Sequence, residues 1–434
     1  MFTDISKDDF KIKKQNKSMK FQAPKGTRDL FPEDAEKLQK IIEIIRSIFE
    51  KYGFRELITP SFESFELLSK KSGEAIRNEI YYFKDKSERE LGLRFELTAS
   101  FARILASNPN LSKPFKRFEI GKVWRYDNPQ AMRWREFWQA DIDIAGSASP
   151  LADVECLATV CECLEKLGFK DFFIRLNNRK LLQSVFKNFV EANAVADVFR
   201  TIDKLDKIGE EGVSNELKKK GINPKKVLEF IKISGTNQEI INKLKNFECE
   251  GLDEIIQALD YAKGFGIDKK IKLDLSLVRG LEYYTGLVYE VFLGADLSCG
   301  GGGRYDKLVE SLGGNPTPMT GISLGLERIL ELMKNKKMFE EDNKTKVFVA
   351  NVNEKVKNEA IKIAQELRKE GINCQTDLMS RSLSKQLEYA DNMEIPYVLI
   401  VGEKEVKSKK FKLKDMKKKT EKEIPITKIK EKLR

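Results

Sequence analysis

The chain has 434 residues, 41% apolar and 34% charged, so it can bury a core, and its length suggests roughly three domains. It carries 79 Lys and Arg against 68 Asp and Glu, and no histidine at all. That composition excludes imidazole as base, nucleophile or metal ligand, and with it Ser-His-Asp hydrolysis, Cys-His proteolysis and His-ligated zinc. Phosphate-centred chemistry stays open, because it depends mostly on positioning and charge stabilisation.

Residues 1–20 are polar and basic, with no apolar stretch of the secretory kind. Pro32 fits the first position of a long helix, whose apolar stripe is Ala35, Leu38, Ile41, Ile42, Ile45 and Phe49. Gly53 ends it, and a strand is predicted over 54–59, stopped by Pro60. Further strands are expected at 91–97, 117–126 and 135–144, and helices at 98–107 and 150–167. Cys156, Cys161 and Cys163 fall in the latter helix, where core packing is the better reading than metal binding. With the other cysteines scattered, a reducing cytosol is the expected compartment, and no apolar run reaches the ~18 residues of a membrane span.

From about 178 to 266 the texture turns Lys- and Asn-rich and helical, which reads as an inserted domain. Strands resume at 271–278 and 287–293. The glycine run 300–303 serves either as a hinge or as a place of close backbone approach, the latter being favoured beside Tyr305. A helix is expected over 304–312, and Gly321 opens a segment that becomes helical by 334. Residues 335–345 form a charged linker. Beyond it, strands at 347–352, 373–378 and 397–402 alternate with helices at 354–369 and 384–392, which predicts a small, largely parallel α/β domain with a basic tail. Residues 401–434 hold 14 Lys and Arg against 6 Asp and Glu, a surplus of 8. That surplus suits either a polyanionic partner or a solvated lysine-rich surface.

The chemistry gathers around arginines. Arg279 stands in Leu-Val-Arg-Gly-Leu-Glu-Tyr-Tyr-Thr-Gly (277–286), an apolar run in which a guanidinium needs an anion. Glu282 could supply one within the chain, and a bound ligand could supply another, with Tyr283 and Tyr284 as hydroxyl donors. Arg125 stands in Val-Trp-Arg-Tyr-Asp-Asn-Pro (123–129), Arg133 opens 133–143, and Arg328 lies in Gly-Ile-Ser-Leu-Gly-Leu-Glu-Arg-Ile (321–329). Asp141 and Asp143, at i and i+2, share one face of a strand, which leaves surface acids on an edge strand as the plain alternative.

In that order, the helix and Pro60-terminated strand (33–60), the strand–loop–strand around Arg125 and Arg133, and the glycine-led helix bearing Arg328 resemble motifs 1, 2 and 3 of class II aminoacyl-tRNA synthetases. Pro-Lys-Gly-Thr-Arg-Asp-Leu (24–30), the 277–286 run, Gly-Gly-Arg-Tyr-Asp (302–306) and Phe-Trp-Gln-Ala-Asp-Ile-Asp-Ile-Ala-Gly (137–146) resemble the histidyl family, in its archaeal and eukaryotic branch, from about residue 21 to about 402. The resemblance implies an α+β catalytic domain, an antiparallel sheet flanked by helices, over 21–177 and 267–334. It also implies a helical insertion (178–266) and a C-terminal α/β anticodon-binding domain with a basic tail (346–434), after a flexible extension (1–20).

It further implies ATP-dependent ligation of L-histidine to tRNA(His) through a histidyl-adenylate, in a cytoplasmic homodimer that uses ATP and Mg²⁺ and has no membrane association. Arg125 and Arg279 match catalytic residues at the α-phosphate, and both also bear on the histidine. Arg133 and Arg328 match holders of the distal phosphates, Phe137 the ring stacked on adenine, and Glu136 its neighbour in the ATP site. Glu96, Thr98 and Gln139 match residues on the substrate ammonium. Asp143 and Tyr284 match the pair reading the imidazole nitrogens, with Tyr283 and Tyr305 lining the pocket, and Gln130 a contact to the tRNA acceptor end. Phe95, Met132 and Trp134 depart from the family pattern. A non-catalytic paralogue, regulatory in histidine biosynthesis or tRNA-sensing, is the alternative; the full arginine set and the C-terminal domain favour the ligase.

Overall fold

The computed structural model describes residues 21–70, 78–128, 132–247, 249–278, 283–294, 297–339 and 344–433. Contacts divide the chain into two units, Met1–Met338 and Phe339–Arg434.

The first unit is built on an eight-stranded sheet. In chain order its strands, with those of a small side sheet, are β1 (Arg55–Glu56), β2 (Phe62–Ser64), β3 (Tyr82–Lys84), β4 (Glu90–Leu93), β5 (Phe115–Trp124), β6 (Glu136–Ala145), β7 (Phe172–Asn178), β8 (Ile271–Leu273), β9 (Leu287–Leu293), β10 (Leu297–Arg304) and β11 (Met319–Gly325). The large sheet runs β1-β5-β6-β11-β10-β9-β7-β8, and β2, β4 and β3 form the side sheet. The pairs from β5 through to β7 are antiparallel, and only the outer pairs β1–β5 and β7–β8 are parallel.

Strand alternation assigns the two faces. On β6, Ala140, Ile142 and Ile144 are buried, and the strand packs on helices Pro32–Lys51, Pro150–Lys166 and Leu326–Asn335. Gln139, Asp141 and Asp143 take the opposite face. Helix Pro32–Lys51 starts on its proline and buries Leu38, Ile41, Ile42, Ile45 and Phe49, as its stripe requires. Gly53 then turns the chain at φ +77.

Several elements differ from expectation. The strand predicted over 54–59 shrinks to two residues, and that over 271–278 to Ile271–Leu273. From Asp274 the chain turns instead, with Ser276 donating to the Asp274 carboxylate at 2.6 Å. The glycine run lies inside β10, not at a strand–helix junction, and the helix expected over 304–312 is only Leu308–Ser311. A Cβ on Gly302 would sit 2.0 Å from the Gly321 carbonyl oxygen, and one on Gly300 2.5 Å from that of Ser323. Close strand approach, not hinging, is what these glycines serve. The segment 178–266 is helical among its described residues after β7 and stays within the first unit.

The second unit holds β12 (Val347–Asn351), β13 (Cys374–Thr376), β14 (Tyr397–Val401), β15 (Lys410–Asp415) and β16 (Thr420–Pro425) in the order β13-β12-β14-β15-β16. The sheet is mixed: β13, β12 and β14 are parallel, while β15 and β16 run antiparallel. The predicted basic tail is therefore a hairpin followed by helix Ile426–Leu433. Phe411 and Leu413 enter the core with Ile429 and Leu433. The lysines between them hid this period-2 pattern, because charge dominates the composition of the segment.

Candidate active site

The polar face of β6 floors a cavity of about 430 Å³. Of the residues singled out from sequence, Glu96, Thr98, Arg125, Arg133, Phe137, Gln139, Asp143, Tyr283, Tyr284, Tyr305 and Arg328 line it. Arg279 and Gln130 lie outside the described residues. Glu136 is a correction. Alternation along β6 sends Phe137 into the cavity and Glu136 to the other face, where its carboxylate accepts from Lys122 Nζ (2.6 Å) and Trp124 Nε1 (2.8 Å).

One side of the cavity is cationic and aromatic. Arg125 follows β5, and its Nε donates to the Phe95 carbonyl at 2.9 Å. Its guanidinium carbon sits 5.2 Å from the centre of the Phe137 ring, a cation–π distance. Desolvation lowers the Arg125 pKa, and Glu96 then Asp127 oppose this; a guanidinium stays charged throughout. Arg133 pairs with Asp127 at 2.6 Å, and an Arg328 guanidinium N–H donates to the Ser298 carbonyl. Glu327 accepts the Trp138 N–H with both oxygens at 2.8 Å, and burial pushes its carboxyl up to about 7. Arg28, from the 24–30 run, stacks 4.5 Å over Trp134 and pairs with Glu331 at 2.6 Å, so that segment links the turn before β6 to the Arg328 helix. Met132, in that turn, takes φ +60, a left-handed conformation more natural to the glycine usual in the family.

The other side is acidic and phenolic. Asp143 and Asp141 are 2% and 3% exposed, at the third strand of eight, so they are neither surface acids nor on an edge. Beneath them Arg117, fully buried, reaches Asp143 at 2.5 Å. Glu96 accepts the backbone N–H groups of Thr98 and Ala99, each at 2.7 Å, and so caps the helix Thr98–Ser107. Tyr283, Tyr284 and Tyr305 form a cluster with ring centres 4.3 to 6.3 Å apart. Burial, then Tyr284, raises the Tyr283 hydroxyl well above its ordinary range, so it acts as a neutral donor. Gln139 Nε2 donates to Ser323 at 2.8 Å. Gln139 Oε1, Asp141 Oδ1, Tyr305 Oη and Trp134 Nε1 are buried without a hydrogen-bond partner among the described residues. Such atoms are costly to leave unpaired and suit the polar groups of a ligand.

Sequence reading did not assign Arg117, Asp141, Ser323, Trp134 or Glu327 a role. Arg117 gave no signal like that of Arg279, because Lys116, Glu119 and Lys122 share its strand and make it read as one charge among several. Arg304, in the 302–306 run, is used internally: it pairs with Asp153 and donates to the Ser147 and Ser149 carbonyls at 2.8 and 2.9 Å.

The family model described as Histidyl-tRNA synthetase matches residues 26–329, and that described as Anticodon binding domain matches 346–434. The chain belongs to the histidyl-tRNA synthetase family. It is 37% identical to the histidine–tRNA ligase of Thermococcus kodakarensis, covering 92% of this chain and 95% of that one. It is 41% identical to the enzyme of that name from Methanococcus maripaludis, covering 91% and 96%. Among solved structures, the histidyl-tRNA synthetase of Nostoc superposes with a TM-score of 0.82 at 31% identity, covering 96% of this chain and 99% of that one.

Proposed function

We propose that the protein joins L-histidine to tRNA(His) at the expense of ATP, activating the amino acid as histidyl-adenylate. The observation that carries this reading is the two-sided cavity: three guanidiniums and an aromatic ring on one wall, two buried carboxylates and three phenols on the other. Neither step requires an imidazole on the protein.

In the first step a histidine carboxylate oxygen attacks the α-phosphorus of ATP and pyrophosphate leaves. Arg125, preset by its bond to the Phe95 carbonyl, offers its free N–H groups to the phosphate as charge builds on it. By family resemblance Arg279 approaches the same phosphate. Phe137 stacks on adenine. Arg133 and Arg328 hold the distal phosphates, Arg133 by leaving its partly exposed pair with Asp127. Glu96, Thr98 and Gln139 hold the substrate ammonium, and Asp143, fixed by Arg117, reads the ring together with Tyr284. A site that satisfies both ring nitrogens rejects isosteres by ~10⁴-fold or more, because they leave buried polar groups unpaired.

Mg²⁺ fits the donor set. Among the described residues no group of three or more acidic or sulfur ligands forms a cage, and Mg²⁺ on a nucleotide takes one or two carboxylates plus phosphates and waters. Asp127 and Glu327, beside Arg133 and Arg328, are the carboxylates that would hold it. When bound it would neutralise charge on the phosphates. A homodimer completes the reading: motif 1 presents Ile58 81% exposed, and Phe62 and Phe83 extend an apolar surface on the side sheet. Among the described residues no helix is long and apolar enough to cross a membrane.

ATP–pyrophosphate exchange run with each of the twenty amino acids tests the proposal. Exchange with histidine alone is the expected result. Exchange with another amino acid, or with none, defeats it; the second outcome would favour a non-catalytic paralogue.

A further inference from the structure

Among the described residues, the amino-acid side of the cavity holds one carboxylate with no direct ion pair. β6 sends Gln139, Asp141 and Asp143 to this face. β5 places Arg117 across from Asp143 and Glu119 across from Asp141. β11 places Ser323 across from Asp141. Glu96 stands just before helix Thr98–Ser107.

Among the described residues three of the four carboxylates have a direct ion pair or backbone N–H groups, and Asp141 has neither. Asp143 has Arg117 at 2.5 Å. Glu119 has Arg94 at 2.7 Å and the Thr59 hydroxyl at 2.9 Å. Glu96 has two backbone N–H groups. Among the described residues Asp141 has the Ser323 hydroxyl, which already takes Gln139 Nε2, and the field of Arg117, which is already paired with Asp143. Among the described residues Asp141 Oδ1 has no hydrogen-bond partner, although the residue is only 3% exposed and lines the cavity.

We propose that Asp141 is a further substrate-contacting and specificity-determining residue, its Oδ1 accepting a hydrogen bond from a nitrogen-borne proton of the bound histidine. The inference rests on the ligase reading and gives a role to a residue which that reading counts in the cavity wall without assigning it one. Burial pushes the Asp141 carboxyl up to about 7, with Asp143 and Glu96 adding to the rise and Arg117 opposing it. Near neutral pH the empty site therefore holds Asp141 in both protonation states. An ammonium or ring N–H against Oδ1 favours the carboxylate. Binding then converts the carboxylic acid to a carboxylate paired with the ligand, and the displaced proton passes to solvent.

The test compares wild type with Asp141→Asn, which keeps side-chain volume. Histidine is titrated calorimetrically at pH 7 in phosphate and in Tris, whose ionisation enthalpies differ. Wild type should release a larger fraction of a proton per histidine bound than the variant. Loss of a charge-assisted bond should raise the histidine KM in pyrophosphate exchange ~10- to 100-fold while leaving the ATP KM unchanged. The ratio of the two histidine affinities should widen from pH 6 to pH 8, a comparison in which titration of the free substrate's ring cancels.

Histidinol and 3-(imidazol-4-yl)propionate separate the two proton sources. A variant effect kept with histidinol and lost with the deamino compound assigns the ammonium, and an effect kept with both assigns the ring. Unchanged histidine KM and unchanged proton release in Asp141→Asn overturn the proposal. Should that variant fail to fold, Asp141→Ser is put to the same measurement, and an unchanged histidine KM overturns the proposal as well. A wild type that exchanges no pyrophosphate with histidine would instead sink the ligase reading.

Discussion

Among the described residues the Arg125 side chain makes one hydrogen bond, from Nε to the Phe95 carbonyl, which leaves the rest of its guanidinium fork for a ligand. Arg125→Ala should cut histidine-dependent pyrophosphate exchange by ~10²–10³-fold, the scale of one preorganised donor. Arg125→Lys should recover only part of this, since an ammonium lacks the flat fork. Arg279→Ala, made on resemblance alone, should fall in the same range; unchanged exchange would remove that residue from the mechanism. Glu327 gives a second residue-scale expectation. Its pKa rises from 4.5 to about 7 on folding, chiefly through burial. The folded state therefore binds the extra proton between those values, and stability falls as pH rises through that window. A shift of about 2.5 units corresponds to roughly 3 kcal/mol as an upper bound. Glu327→Gln should thus raise the melting temperature more at pH 8 than at pH 5, and an equal change at both would contradict this. Most of the cavity's residues were legible through their family motifs and not through arginine beside aromatic alone, since Arg46, Arg175 and Arg381 stack on rings outside the cavity. Their facing was not: Glu136 was assigned by adjacency to Phe137, and one step along a strand reverses the face.

At the scale of elements, the long helices and inner strands could be read from periodicity, and the short edge pieces could not. Helix Thr98–Ser107 and strand β9 stand where their patterns put them, because one buried stripe or a wholly buried run determines each. Strand β1 keeps only two residues, a length that no periodicity can signal. β10 hid behind four glycines, since its strand character comes from its neighbours and not from its own propensity. That origin makes it testable. A methyl on Gly302 would meet the Gly321 carbonyl and force β10 from β11, so Gly302→Ala should cost about 2 kcal/mol or more in denaturant unfolding. Equal stability of the two proteins would show that the strands can part without penalty. Motif 1 bears on assembly in the same way. Placing a carboxylate on the apolar patch by Ile58→Asp should shift sedimentation from dimer to monomer, and a variant that remains dimeric would put the interface elsewhere.

For the whole molecule, charge decides how the protein meets its largest substrate. The net +11 is concentrated toward the C-terminus, in a unit that matches an anticodon-binding domain. There the hairpin β15–β16 turns through Lys417, Lys418 and Lys419, all exposed. Each phosphate neutralised on a single strand releases counterions, which gives a log–log salt slope of about −0.7 per contact. The tRNA dissociation constant should therefore rise steeply between 50 and 200 mM salt. If the turn lysines contribute contacts, changing all three to alanine should flatten the slope by about 2 and weaken binding to tRNA(His) and to non-cognate tRNA alike, because phosphates carry no sequence. Pyrophosphate exchange should be untouched, since these residues take no part in the cavity. The combination is what discriminates. An unchanged slope would place the tRNA on another surface, and a loss restricted to tRNA(His) would mean that the turn reads bases.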